Sequence, residues 1–160
     1  PSVSDIERRC IMLVDESEYP FQPRITHDSK PYWDGLKEHK VLFQRCACCG
    51  KPRMPTSIVC PFCLNKDFAW EESKGLGKVY TYAIYRHAFH PALKQKLPYA
   101  VATVDLDEGI RLLTNVSRND MHKITCGTPV KIEFADTECG IVMPYCSCIA
   151  QYSQSETTAE

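Results

Sequence analysis

The sequence predicts a mainly β protein: a short N-terminal helix, a small ribbon pinned by cysteines, then a closed five-stranded barrel. Three observations carry that reading. Two Cys-x-x-Cys pairs, Cys46/Cys49 and Cys60/Cys63, are separated by ten residues. Between Val79 and Tyr145 come five short runs rich in β-branched and aromatic residues, broken by turn chemistry. Ahead of the cysteines, Asp28-Ser29-Lys30-Pro31 opens a stretch with Tyr32, Trp33 and Leu36 at near-helical spacing.

The helix is expected to start within Asp28-Ser29-Lys30-Pro31, a capping side chain followed by proline in the first turn. Asp34, Lys37 and Glu38 fall on its outer side, and the aromatic face is core or interface. Val41-Leu42-Phe43-Gln44 is a β-type run leading directly into the first cysteine pair. Residues 1 to 28 carry a short apolar cluster (Ile6, Ile11, Met12, Leu13, Val14), and then Tyr19-Pro20-Phe21-Gln22-Pro23 breaks any regular element. This segment is expected to run along a surface.

A Cys-x-x-Cys turn aims two thiolates at one cation, and a second turn completes a tetrahedral four-sulfur site. Gly50 after the first pair and Pro61 inside the second suit tight knuckles. A closed four-thiolate site leaves no open coordination position, so the metal expected at Cys46, Cys49, Cys60 and Cys63 is structural Zn²⁺. Iron in a rubredoxin-like site uses the same ligands, and disulfides are a further alternative; the short spacer favours a compact zinc ribbon. Cys48 could displace Cys46 only by leaving a single residue between ligands.

The five barrel runs are Val79–Tyr85, Tyr99–Leu106, Ile110–Val116, Val130–Phe134 and Gly140–Tyr145, with Asp107-Glu108-Gly109 as a hairpin turn. Five short strands predict a small closed barrel, and an OB-fold is the commonest five-stranded solution. Ser73 to Lys78 reads as a flexible linker by composition. Residues 150–160 read as a disordered polar tail. The expected division is therefore 1–40 (extension and helix), 41–72 (ribbon), 73–149 (OB-fold) and 150–160 (tail).

Composition narrows the function. With 160 residues, a formal net charge of −1 and a pI near 6.6, the chain lacks the basic footprint of a nucleic-acid-binding domain. No run of eighteen apolar residues is present to span a membrane, and the first residues lack the apolar core of a signal peptide. Ten cysteines without a secretion signal predict a reducing cytoplasm. The six outside the pairs, Cys10, Cys48, Cys126, Cys139, Cys146 and Cys148, are expected to be mostly small buried apolar residues. No Gly-x-Ser-x-Gly elbow, His-Glu-x-x-His or phosphate-binding glycine loop occurs, so no catalytic residue is assigned.

One segment looks suited to a ligand: Tyr85 to Lys96, between the first two barrel strands. Arg86, Lys94 and Lys96 offer cations to phosphate oxygens, and Phe89 a surface for an adenine or acyl group. A solvated basic loop with a His90-Pro91 turn is the plainer reading. Single-stranded nucleic acid stacked on Tyr80, Tyr82 and Tyr85 is a second functional class, but Tyr80 and Tyr82 alternate as core residues would, and the neutral charge opposes it.

The order of parts resembles domain-of-unknown-function family 35. The residues that carry this are Pro31-Tyr32-Trp33-Asp34-Gly35-Leu36, Gln44-Arg45-Cys46-x-x-Cys49-Gly50, Pro55, Cys60-Pro61-x-Cys63, Gly75-x-Gly77-x-Val79-Tyr80, Leu97-Pro98-Tyr99 and Val104 to Gly109. The match runs over residues 20–148. Cys48 and the cysteine-rich last strand depart from the usual pattern. The resemblance implies a helical segment, a rubredoxin-like zinc ribbon and a C-terminal OB-fold. It also implies an auxiliary subunit of acyl-CoA metabolism, in a hetero-oligomer with a thiolase-family enzyme that carries the chemistry. Relatives that join hydratases or aldolases acting on CoA thioesters are the alternative it offers.

Overall fold

The computed structural model describes residues 23, 25–136 and 140–149. The expectations for residues 1–22 and for the 150–160 tail, and the positions of Cys10 and Cys139, lie outside them. The elements are helix α1 (Lys30–Lys37) and strands β1 (Val41–Cys46), β2 (Pro52–Arg53), β3 (Phe68–Ser73) and β4 (Leu76–Tyr85). A 3₁₀ turn (Pro91–Lys96) follows, then β5 (Tyr99–Leu106), β6 (Arg111–Val116), β7 (Pro129–Asp136) and β8 (Val142–Cys148).

Helix α1 begins where expected, but Ser29 does not cap it with its side chain. Its hydroxyl is engaged one turn earlier, accepting from the Thr26 N–H at 3.0 Å. The far end is better defined. His39 takes a left-handed φ of 59°; its N–H donates to the Leu36 carbonyl and that of Lys40 to Gly35, each at 2.9 Å. This pairing closes a helix and redirects the chain, here straight into β1. The buried face, Gly35 and Leu36, packs against β1 and β8.

Strand β1 is the centre of a three-stranded antiparallel sheet ordered β2-β1-β3. The other five strands form a closed barrel, β4-β5-β6-β8-β7, with β7 pairing back to β4 and a parallel step between β6 and β8. Closure leaves no sheet edge to cover. Along β5, Ala100, Ala102, Val104 and Leu106 point inward in strict alternation. They meet Val79, Leu112, Val130, Ile132 and Cys146 in a core that also takes in Leu36, Val41 and Phe43. One end of the ribbon is thus built into the barrel's apolar interior.

Residues 73–78 are not a flexible linker. Leu76, Gly77 and Lys78 pair with β7, and Gly77 and Lys78 also with β5. A Cβ on Gly77 would lie 2.3 Å from the Asp105 carbonyl oxygen, so the glycine permits a close strand approach. The corner before it is clamped by Glu108 from the β5–β6 turn. Ser73 Oγ donates to Glu108 Oε2 at 2.8 Å, and the Lys74 N–H donates to Oε1 at 2.7 Å. Tyr80 also departs from expectation: a bulge between Val79 and Thr81 turns it outward, 54% exposed. Arg111, held by both carboxylate oxygens of Asp105, covers its ring at 3.6 Å. Tyr82 is half-buried against the core as the alternation predicts.

Candidate metal centre and ligand loop

The first knuckle grows out of the end of β1. Cys46 closes that strand, the chain reverses, and the Gly50 N–H donates to the Cys46 carbonyl at 3.0 Å with Gly50 at φ +68°. The second knuckle repeats this: the Leu64 N–H donates to the Cys60 carbonyl at 2.9 Å. Between them, β2 lies against β1 in register, Arg53 opposite Gln44. The Gln44 side-chain oxygen Oε1 accepts from Arg53 Nε at 2.7 Å and from the Ser57 N–H at 3.0 Å, fixing where the second knuckle starts.

This brings the sulfurs of Cys46, Cys49, Cys60 and Cys63 within 4.8 Å of one another. Cys46 Sγ is 3.6 Å from Cys63 Sγ, as is Cys49 Sγ from Cys60 Sγ. A tetrahedral Zn²⁺ with bonds of about 2.3 Å needs sulfurs about 3.8 Å apart, so the cage fits the ion. A disulfide needs about 2.05 Å, and all eight cysteines in the described residues are free. Cys46 and Cys60 are buried, while Cys49 and Cys63 lie nearer the surface. Peptide N–H groups favour the thiolate at two of the four positions. The Cys49 N–H, aided by that of Cys48, lowers the Cys46 thiol below its ordinary value. At Cys60 burial works the other way, but the Phe62 and Cys63 N–H groups outweigh it and hold the thiol at about 6. At Cys63 the Asn65 N–H lowers the thiol, but burial and the three neighbouring sulfurs outweigh it and push it up to about 12. Four sulfurs that leave no fifth position suit a structural rather than a catalytic ion, which displaces their remaining protons as it binds.

Cys48 is exposed and outside the cage. Cys126 is also exposed, so neither is the buried apolar residue expected of most spare cysteines. Cys146 is: fully buried, its thiol is pushed up to about 12 by that burial. Cys148 is half-buried beside it, and its N–H donates to Asp120 Oδ2 at 2.9 Å. Among the described residues, the four-cysteine cage is the one cluster arranged to hold a metal.

The loop between β4 and β5 is largely exposed. Arg86 and Lys94 are exposed, Phe89 is 82% exposed, and Lys94 and Lys96 sit in the 3₁₀ turn. Tyr85 stacks on Tyr99 at 4.9 Å and meets Phe89 edge-on at 6.5 Å, and Arg118 Nη2 donates to the Lys96 carbonyl at 3.1 Å. The four residues therefore share a loop, with Lys96 set deeper than the rest. No local pattern signals the Glu108 clamp or the buried Gln44–Arg53 pair, because both depend on which strands become neighbours.

Two family models cover these parts in turn. A ChsH2 rubredoxin-like zinc ribbon domain matches residues 33–69, and a ChsH2 C-terminal OB-fold domain matches residues 70–135. A DUF35 domain-containing scaffold protein of Methanocaldococcus jannaschii is 31% identical over 104 residues, 64% of this chain and 73% of that protein. The chain belongs to the DUF35 family. A chain of the solved structure described as Ltp2-ChsH2(DUF35) aldolase is 34% identical, with a TM-score of 0.71 over 79% of this chain and 98% of that one. A probable enoyl-CoA hydratase alpha subunit of Thermomonospora curvata is 35% identical over 123 residues, 77% of this chain. The match spans only 38% of that subunit's length. With the family come its zinc ribbon and OB barrel, both visible in the fold above. No helix among the described residues is long and apolar enough to cross a membrane.

Proposed function

We propose that this chain is a non-catalytic auxiliary subunit of a cytoplasmic acyl-CoA-processing complex. Its ribbon is held by one structural Zn²⁺ on Cys46, Cys49, Cys60 and Cys63, and the partner subunit carries the chemistry. The observation that supports this most is the likeness over nearly the whole of the matched chain in the Ltp2-ChsH2(DUF35) aldolase structure. The named relatives favour a partner with aldolase or hydratase chemistry on a CoA thioester; the thiolase-family partner implied by the resemblance rests on that resemblance alone. The metal supplies shape, since a saturated four-thiolate ion has no site for a substrate oxygen.

In this reading the β4–β5 loop is the part that meets CoA. Arg86 and Lys94 would stand against its phosphates, and Phe89 would pack on the adenine or the acyl portion. Lys96, whose Nζ is buried, would have to turn outward to join them. The division of labour follows the boundaries read from the sequence, with 41–72 as ribbon and 73–149 as barrel. The test is reconstitution. The isolated zinc-loaded chain should turn over no acyl-CoA, and withholding it from its co-purifying enzyme should cut that enzyme's activity at least tenfold. Sustained turnover by the isolated chain would overturn the proposal.

A further inference from the structure

The two metal knuckles share a backbone and differ in one side chain. Gly50 and Leu64 each follow the second cysteine of a pair, and each N–H closes on the first cysteine's carbonyl. Their φ angles are +68° and +61°. That conformation is ordinary for glycine and strained for leucine, whose Cβ crowds the following carbonyl. Leu64 nevertheless occupies it, with 75% of its surface exposed. Neither backbone preference nor burial among the described residues explains a leucine there.

Leu64 has company. Ile58 (63% exposed), Val59 (36%) and Phe62 (58%) each lie within two residues of Cys60 or Cys63, so chain connectivity gathers them around the same knuckle. Exposed apolar side chains scattered singly are unremarkable, whereas a group on one tip marks a contact surface. The surrounding charge is one-sided. The Lys51 ammonium lies 4.3 Å from the centre of the Phe62 ring, and Lys66 is exposed. Behind Phe68, Arg53 is 5% exposed with both Nη groups lacking an acceptor. Residues 47–68 offer a single acid, Asp67.

We propose that the second knuckle, centred on Leu64 and Phe62, is the face on which the catalytic acyl-CoA subunit docks. The partner surface it fits is an apolar depression bordered by carboxylates, which would meet Lys51 and Lys66. This rests on the auxiliary-subunit reading and adds where the contact is made. Strain and exposure at Leu64 then have a purpose: the side chain is placed for a pocket on another protein.

The test uses the full zinc-loaded chain and the acyl-CoA enzyme that co-purifies with it, with affinity measured by calorimetry and stability by thermal melting. Leu64→Gly should melt at or above the wild-type temperature, because glycine suits the left-handed slot, yet bind the enzyme at least tenfold more weakly. Phe62→Ser should also bind at least tenfold more weakly with zinc content unchanged, and wild-type affinity should fall as salt rises. Leu113→Ser removes a comparably exposed leucine from the barrel (69%) and should leave affinity within twofold. Wild-type affinity in Leu64→Gly, or equal loss in Leu113→Ser, would overturn the assignment. So would a wild-type self-association that Leu64→Gly abolishes while enzyme binding survives. If wild-type chain binds no such enzyme and the enzyme works without it, the auxiliary-subunit reading itself falls.

Discussion

In the barrel, every second residue of β5 is inside, and Val104 and Val130 are completely buried. In the ribbon beyond Phe43, the buried residues are Gln44, Cys46, Arg53 and Cys60: two metal-facing cysteines and a hydrogen-bonded polar pair. Three of its larger apolar side chains, Ile58, Phe62 and Leu64, face outward. The barrel is ordered by removing hydrocarbon from water, the ribbon tip by a cation bridging two turns. A module this small cannot bury enough apolar surface to offset its chain entropy, so the ion substitutes for a core. The apolar residues thereby released from packing are free to serve contact.

The contrast can be broken at either end. Largest in effect should be Cys60→Ser, which removes a buried ligand. Structural zinc contributes on the order of 10 kcal/mol to such modules, so the variant should lose stoichiometric zinc by mass spectrometry and the 46–68 segment should become protease-sensitive. Next is the barrel: Val104→Ala should cost roughly 2–3 kcal/mol in denaturant unfolding, with zinc content untouched. Smaller again should be Glu108→Gln at the junction of ribbon and barrel, which keeps size but removes the charge that Ser73 and the Lys74 N–H share. A loss of about 1–2 kcal/mol is expected, with faster amide exchange at residues 73–75. Cys48→Ser should change least, staying within about 0.5 kcal/mol and retaining full metal; loss of metal there would mean the ligand set is misassigned.

How much of this was legible beforehand follows the same divide. The cage could be read because its signal is local: spacing within two turns is enough to aim four sulfurs. The barrel strands could be read because alternation and turn residues are local too, and all five appear within a few residues of their expected ends. What escaped depends on partners distant in sequence. Gly75 and Gly77 look like linker residues until β5 and β7 are beside them, where Gly77 has no room for a Cβ. Tyr80 breaks the alternation because a bulge shifts its register. Ser29 has the chemistry of a cap but spends its hydroxyl on Thr26. Leu64 was silent for another reason. Only a backbone angle, set beside that of Gly50, makes an ordinary leucine unusual.

Hydrogen exchange followed by mass spectrometry, before and after zinc removal with a strong chelator, tests the central contrast most directly. Protection should collapse across residues 46–68 while the barrel strands from Tyr99 to Val116 and Pro129 to Asp136 exchange as slowly as before. A metal-free chain whose knuckles stay protected, or whose barrel opens together with them, would contradict it.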